Sequence, residues 1–220
     1  VDAQPWGGPQ RGATLVSVRA RGALVVGGVL CRFGASRSPG AAWAAGASRL
    51  RCLSSSSASS GWAGVQLSSA HGGVSSGGSF YYHAELHASG TAPPLGPERG
   101  GTRVAVLGSG LKDAYTLRCR FGNASSAALG RLIDASQLEC ASPMHALGAT
   151  RVRLSMNAQQ YGDSGAAGGA SYTYERALSV SSVWPSRVLS EGGTPLTVRG
   201  SGFSSLSESL GYAVCRVGAS

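Results

Sequence analysis

Cys31-Arg32-Phe33-Gly34 and Ser48-Arg49-Leu50-Arg51-Cys52 return as Cys119-Arg120-Phe121-Gly122 and Ser136-Gln137-Leu138-Glu139-Cys140, each 88 positions further on. Within each pair the cysteines stand 21 positions apart. Upstream, Gly12-Ala13-Thr14 matches Gly100-Gly101-Thr102 at the same offset, and Gly192-Gly193-Thr194 follows 92 positions later. The third copy runs through Leu196, Val198, Gly200, Gly202 and Phe203 to Cys215-Arg216-Val217-Gly218, just before Ser220. A fixed period of this kind marks tandem units. We divide the chain into residues 1–90, 91–178 and 179–220, the last being the front of a unit with one cysteine. On this reading the natural protein continues beyond Ser220, and a start at Val1 without a charged-then-apolar leader reads as a mature or partial chain.

Inside each unit the apolar residues alternate, the period of a strand with one face buried. Val16/Val18, Val104/Val106 and Leu196/Val198 follow the Gly-Thr turn. Val29/Cys31/Phe33, Leu117/Cys119/Phe121 and Ala213/Cys215/Val217 come next, and Phe80/Tyr82 pairs with Tyr172/Tyr174 later in the unit. No amphipathic helical pattern stands out, and Gly and Ser clusters separate the short runs. Units of this size with several short strands predict an antiparallel β-sandwich. Both cysteines of a unit share the apolar phase of their strand, so both point into the core. That favours Cys31–Cys52 and Cys119–Cys140 disulfides, each worth about 3 kcal/mol in the chain-entropy account, and an oxidising compartment.

Composition narrows the field. Gly (34), Ser (35) and Ala (32) are close to half of 220 residues, and only 13% are charged. This is neither a disordered polyelectrolyte nor a membrane bundle, and no apolar run reaches the ~18–20 residues of a spanning helix. The formal charge of +9 comes almost wholly from arginine, with Lys112 the single lysine. Scarce Lys, Ile and Asn beside abundant Ala, Gly and Arg follow from GC-rich codons, so part of that excess is compositional.

Val183-Trp184-Pro185 followed by Gly192-Gly193-Thr194-Pro195-Leu196-Thr197-Val198 and then Gly200-Ser201-Gly202-Phe203 resembles the opening of an IPT/TIG domain, the immunoglobulin-like module of plexins, Met-type receptors, fibrocystin-like proteins and some transcription factors. Pro97, Gly100-Gly101-Thr102 and Gly108-Ser109-Gly110 repeat the opening, and Cys119-x-Phe121-Gly122 and Cys140-x-Ser142-Pro143 resemble the family's central words. The likeness covers residues 91–220. Over 1–90 it thins, because Ala20-Arg21-Gly22 stands for Gly-Ser-Gly and Ser54-Ser55 for Ser-Pro, and residues 35–47 have no evident strand counterpart. The resemblance implies an all-β chain of tandem immunoglobulin-like antiparallel β-sandwiches, the first divergent.

Candidate chemistry is thin. Gly108-Ser109-Gly110 lacks the third glycine of a dinucleotide loop, since position 113 is Asp113, and no helical pattern follows. His83, Glu85 and His87 would share a face of an extended strand, a loose zinc arrangement, but read more simply as a solvated strand end. His71 and His145 read as ordinary loop histidines. No serine sits in a nucleophile elbow, no calcium loop occurs, and neither catalytic residues nor a cofactor or metal site are expected. Asn123-Ala124-Ser125 is a glycosylation sequon after a strand end. Arg32, Arg120 and Arg216 occupy one outward strand position in the three units; with Arg151 and Arg153, and with Arg49 and Arg51 beside them, they suggest a basic face for an acidic glycan, lipid or protein partner.

The reading is a non-enzymatic segment of a larger extracellular or cell-surface glycoprotein, binding other protein chains, copies of itself included. Homotypic assembly into a filament or coat through sheet edges, on a ciliary surface or in a cell wall, is its finer form. The competing reading is a DNA-binding or dimerisation region of a transcription regulator, drawing on the net charge. Matched cysteine pairs and the lack of a compact Lys/Arg cluster weigh against it, so no nucleic acid is expected. A carbohydrate-associated module of a hydrolase is a third reading.

Overall fold

The computed structural model describes residues 3–19, 29–38, 41–43, 49–69, 74–113, 116–123, 127–162 and 169–218. The Ala20-Arg21-Gly22 triplet, His71, Ser125, parts of 35–47 and the side chain of Arg49 lie outside the described residues.

The first nine strands are β1 (Ala3–Gln4), β2 (Gly7–Pro9), β3 (Leu15–Arg19), β4 (Val29–Phe33), β5 (Ser36–Ser38), β6 (Ala41–Trp43), β7 (Arg49–Leu53), β8 (Gly61–Ser69) and β9 (Val74–His83). They form two sheets, ordered β1-β3-β7-β6 and β2-β9-β8-β4-β5. Period-two alternation turns Val16, Val18, Cys31, Phe33, Leu50, Cys52, Val65, Leu67, Phe80 and Tyr82 into one buried cluster between them. Phe33, Phe80 and Tyr82 meet edge to face, with ring centroids 5.3 and 5.0 Å apart.

The second set repeats this plan: β10 (His87–Ala92), β11 (Leu95–Pro97), β12 (Arg103–Ser109), β13 (Arg118–Phe121), β14 (Ala128–Asp134), β15 (Gln137–Ala141), β16 (Gly148–Ser155) and β17 (Ser171–Glu175). Their order is β10-β12-β15-β14-β13-β16-β17-β11. β14 belongs to both layers: Ala128 and Leu129 pair with β13, while Gly130 to Asp134 pair with β15. Val104, Val106, Cys119, Phe121, Leu138, Cys140, Val152, Leu154, Tyr172 and Tyr174 build the core. Phe121 and Tyr172 stand where Phe33 and Phe80 stand in the first sandwich, at 5.4 Å.

Residues 35–47 were expected to lack a strand counterpart. Instead β5 pairs with β4 and β6 with β7, so the two together take the place of β14. The sequence disguises this because the crossing from one sheet to the other is divided into two short pieces of different spacing. A second difference concerns strand direction. After pairing antiparallel with β3, β1 gives way at the cis Gln4–Pro5 bond to β2, which runs parallel to β9 in the other sheet. β10, cis Ala92–Pro93 and β11 repeat the device against β17. Each sandwich therefore has one parallel edge in an otherwise antiparallel design.

Cys31 on β4 is bonded to Cys52 on β7, and Cys119 on β13 to Cys140 on β15, with Cα atoms 6.2 and 6.3 Å apart. Each bond crosses the core from one sheet to the other.

In the third unit β18 (Ser179–Trp184) pairs antiparallel with β19 (Thr197–Ser201), and Trp184 faces Thr197 as Ala92 faces Ala105. A short helix, α1 (Ser205–Ser209), follows; the Ser204 hydroxyl caps it, accepting from the Leu206 and Ser207 amides. The expected strand at Ala213, Cys215 and Val217 does not form, and these residues are exposed coil. Its counterpart β13 is held by β14 and β16, which have no equivalents within the 220 residues, and a strand without a ladder leaves its backbone groups to water. Among the described residues no helix is long and apolar enough to cross a membrane.

Candidate functional site

β13 and β16 run antiparallel with Cys119 opposite Leu154, Arg120 opposite Arg153 and Phe121 opposite Val152. The apolar partners point inward, so Arg118, Arg120, Arg151 and Arg153 project from the outer face of the sheet. Like charges directly opposite one another repel, and the surroundings temper this. The Arg120 guanidinium lies 3.5 Å from the centroid of the buried Tyr161 ring, a cation–π contact. Arg153 donates from Nη2 to the Gly122 carbonyl at 3.2 Å and to Asn123 Oδ1 at 3.4 Å. The Nε atoms of both are buried without a hydrogen-bond partner. Among the described residues the ion pairs are Arg11–Glu85 and Arg131–Glu139, so no carboxylate neutralises this face.

The five arginines expected on one surface do not share it. Arg120, Arg151 and Arg153 do. Arg32 lies on β4 of the first sandwich, opposite Arg37 and Gln66, and Arg216 stands in the exposed coil of the third unit. Equal spacing along the chain gives equivalent places in separate units, not neighbouring places in space.

Asn123 is exposed in the turn after β13, beside Arg153. The histidine reading changes. His83 ends β9 with its side chain buried, and residues 84–86 interrupt the strand before His87 begins β10, so the three-residue face does not exist. Burial holds the His83 imidazole below its ordinary pKa, opposed by its hydrogen bond to the Ala84 carbonyl and by Glu85. It is a buried residue beside Trp6, Thr116 and Met156, not a solvated strand end. No cluster of metal-ligating side chains occurs among the described residues. His145 is half-buried and stacks on Tyr174.

The sequence reading missed the joint between the two sandwiches. Residues 157–161 leave β16, with Ala158 in the left-handed region at φ 60°. Asn157 is 4% exposed; its Oδ1 accepts from the Gln159 and Gln160 amides, both at 3.0 Å, which shapes the loop. Its Nδ2 donates to Gln160 Oε1 and reaches towards the Gly7 carbonyl of the first sandwich. Gln159 then does for Leu15 what a strand would: Oε1 accepts from the Leu15 amide at 2.8 Å and Nε2 donates to its carbonyl at 2.9 Å. β1 covers β3 only at Ser17 and Val18, so the edge at Leu15 is free for this side-chain amide. Gln160 accepts from Thr14 Oγ1 and donates to the Gly12 carbonyl. Trp6 packs against the second core from the other side of the joint. The sequence signal was a polar Asn-x-Gln-Gln run straight after an apolar strand.

Replacing Gln159 and Gln160 together by alanine is expected to leave each sandwich folded while loosening the joint. Four bonds across the joint, at about 0.5–1.5 kcal/mol each, are removed. Residual dipolar couplings should then report two alignment tensors in place of one; a single shared tensor in the variant contradicts the role assigned to the glutamines.

Thr102, the counterpart of Thr14, lines a cavity of about 330 Å³ with Leu95, Gly96, Leu178, Ser207 and Tyr212, between the second sandwich and the third unit. Ser204 Oγ of the third unit donates to Glu175 Oε1 of the second sandwich at 2.5 Å.

Two-layer sandwiches with inter-sheet disulfides, repeated in tandem and joined by short connections, define an immunoglobulin-like multi-module chain. The chain belongs to the IPT/TIG domain family, whose profile matches residues 89–174 and 178–219. Among solved structures it is similar to the plexin A4 full extracellular region, at 18% identity and TM-score 0.59 over 91% of this chain. A second structure of that region matches at 17% identity and TM-score 0.51 over 79%. The chain spans 17% and 18% of the length of those plexin chains, and at this identity the likeness is one of fold. A comparison with curated protein sequences finds no match.

Proposed function

We propose that this chain is a non-enzymatic segment of an extracellular or cell-surface glycoprotein, in which tandem IPT/TIG sandwiches act as semi-rigid spacers presenting partner-binding surfaces. The observation that carries the reading is the pair of inter-sheet disulfides, which persist in oxidising compartments and are rare in the cytosol. They also weigh against a nuclear DNA-binding role. The hydrogen-bonded joint supports the spacer function. The face of Arg120, Arg151 and Arg153, which forms no ion pair among the described residues, supports a partner with negative charge, and the edge strands β5 and β6 support addition of strands from another copy of the chain. A surface filament or coat, ciliary or in a cell wall, is the assembly this reading favours, with Asn123 carrying a glycan.

Non-reducing peptide mass spectrometry on protein from its native source tests this. Cys31–Cys52 and Cys119–Cys140 linked peptides with a hexose-bearing Asn123 peptide are expected. Free thiols throughout with a bare Asn123 would overturn the extracellular reading in favour of an intracellular one.

A further inference from the structure

We propose that the outer face of the β2-β9-β8-β4-β5 sheet binds an acidic oligosaccharide, a sugar ring stacking on Trp62 and its carboxylate or sulfate groups meeting Arg32 and Arg37. This deepens the partner-binding reading by naming a ligand class and a place.

At one end of the sheet Trp62 is 66% exposed, yet its ring packs against neighbouring aromatic rings. Its ring centroid is 5.2 Å from Tyr81 and 5.9 Å from Trp6, and Lys112 of the second sandwich holds its ammonium 4.4 Å from the Tyr81 ring. The neighbours hold the indole in place with its surface open. Next along the sheet Gly64 pairs with the exposed Ser79, and a Cβ added at Gly64 would meet nothing within 4 Å. The floor is thus low and polar, unlike the apolar surround of a protein-docking hot spot. Beyond it Gln66 stands opposite Arg32, which also faces Arg37. Gln66 lies four steps along β8 from Trp62, about 13 Å at ~3.3 Å per residue, the reach of a short oligosaccharide.

Charge selects the acidic class. The sequence holds seven arginines and no Asp or Glu from residue 3 to residue 84. Among the described residues no ion pair neutralises Arg32 or Arg37, and Arg32 Nε is buried without a partner. Two guanidiniums opposite each other on adjacent strands are unfavourable until an anion bridges them. The pyranose C–H face complements the electron-rich face of an indole.

The test is calorimetric titration of the intact chain with a heparin-derived hexasaccharide, with cellohexaose and hexaglutamate as neutral and peptidic comparisons. Only the acidic sugar is expected to bind, with quenching of tryptophan emission. Trp62→Ala and Arg37→Gln, both at exposed positions, should each weaken it at least about tenfold. Arg19→Gln, on the opposite sheet, should change it less than about twofold. Absence of hexasaccharide binding, equal binding of hexaglutamate, indifference to Trp62→Ala, or equal sensitivity to Arg19→Gln would each overturn the site. None of these results would alter the disulfide and glycan mapping, so the two proposals fail separately.

Discussion

Replacing Cys119 and Cys140 together by alanine is expected to cost the second sandwich about 3 kcal/mol, the loop-closure entropy released to the unfolded chain. The bond closes a span of 21 residues and ties β13 in one sheet to β15 in the other. Both residues are fully buried, so truncation also removes packed sulfur from the centre of the core. For a unit of this size each kcal/mol moves the melting temperature by about 4–8 °C, which predicts a fall of more than about 10 °C by calorimetry. The dependence should be strong here because so many strand residues are Gly, Ala or Ser and bury little apolar area. A fall of only a few degrees would mean that the hydrophobic cluster alone holds the two sheets.

The second large effect is expected at a glycine. Gly100 sits at φ +74°, and a Cβ there would lie 2.6 Å from the Ser142 oxygen and the Pro143 carbonyl carbon. The left-handed backbone costs an L residue about 1–2 kcal/mol, and pushing back the facing backbone adds about 1–3 kcal/mol. Gly100→Ala should therefore lose about 3 kcal/mol in urea melts. Gly101 provides the internal comparison. It lies at φ +86° with nothing within 4 Å of its Cβ position, and the first sandwich already carries Ala13 at φ 61° in the corresponding place. Gly101→Ala should cost only the backbone part of that loss, about 1–2 kcal/mol. Equal losses at the two sites would show that backbone strain alone, and not the contact with Ser142 and Pro143, sets the need for Gly100.

These two glycines show how far the linear pattern reaches. Gly12-Ala13, Gly100-Gly101 and Gly192-Gly193 stand in equivalent turns, and all six residues have positive φ, as the repeated words imply. Which glycine of a pair is crowded does not follow from the words. It depends on the 55–56 and 142–144 segments returning from the far side of each sandwich. Gly192 has no such neighbour, and a Cβ there would meet nothing within 4 Å.

The sequence by itself determined the repeat, the strand alternation, the inward cysteines and the family, because backbone geometry makes side-chain direction a local, period-two property. Tertiary structure decided the rest. It showed β5 and β6 doing the work of β14, Arg120, Arg151 and Arg153 parted from Arg32 and Arg216, and His83 buried. It also placed Gln159 against Leu15, 144 positions away, and Trp62 beside Tyr81 and Trp6. Such contacts depend on where separate strands and separate sandwiches come to rest against one another, and no periodicity along the chain encodes that placement.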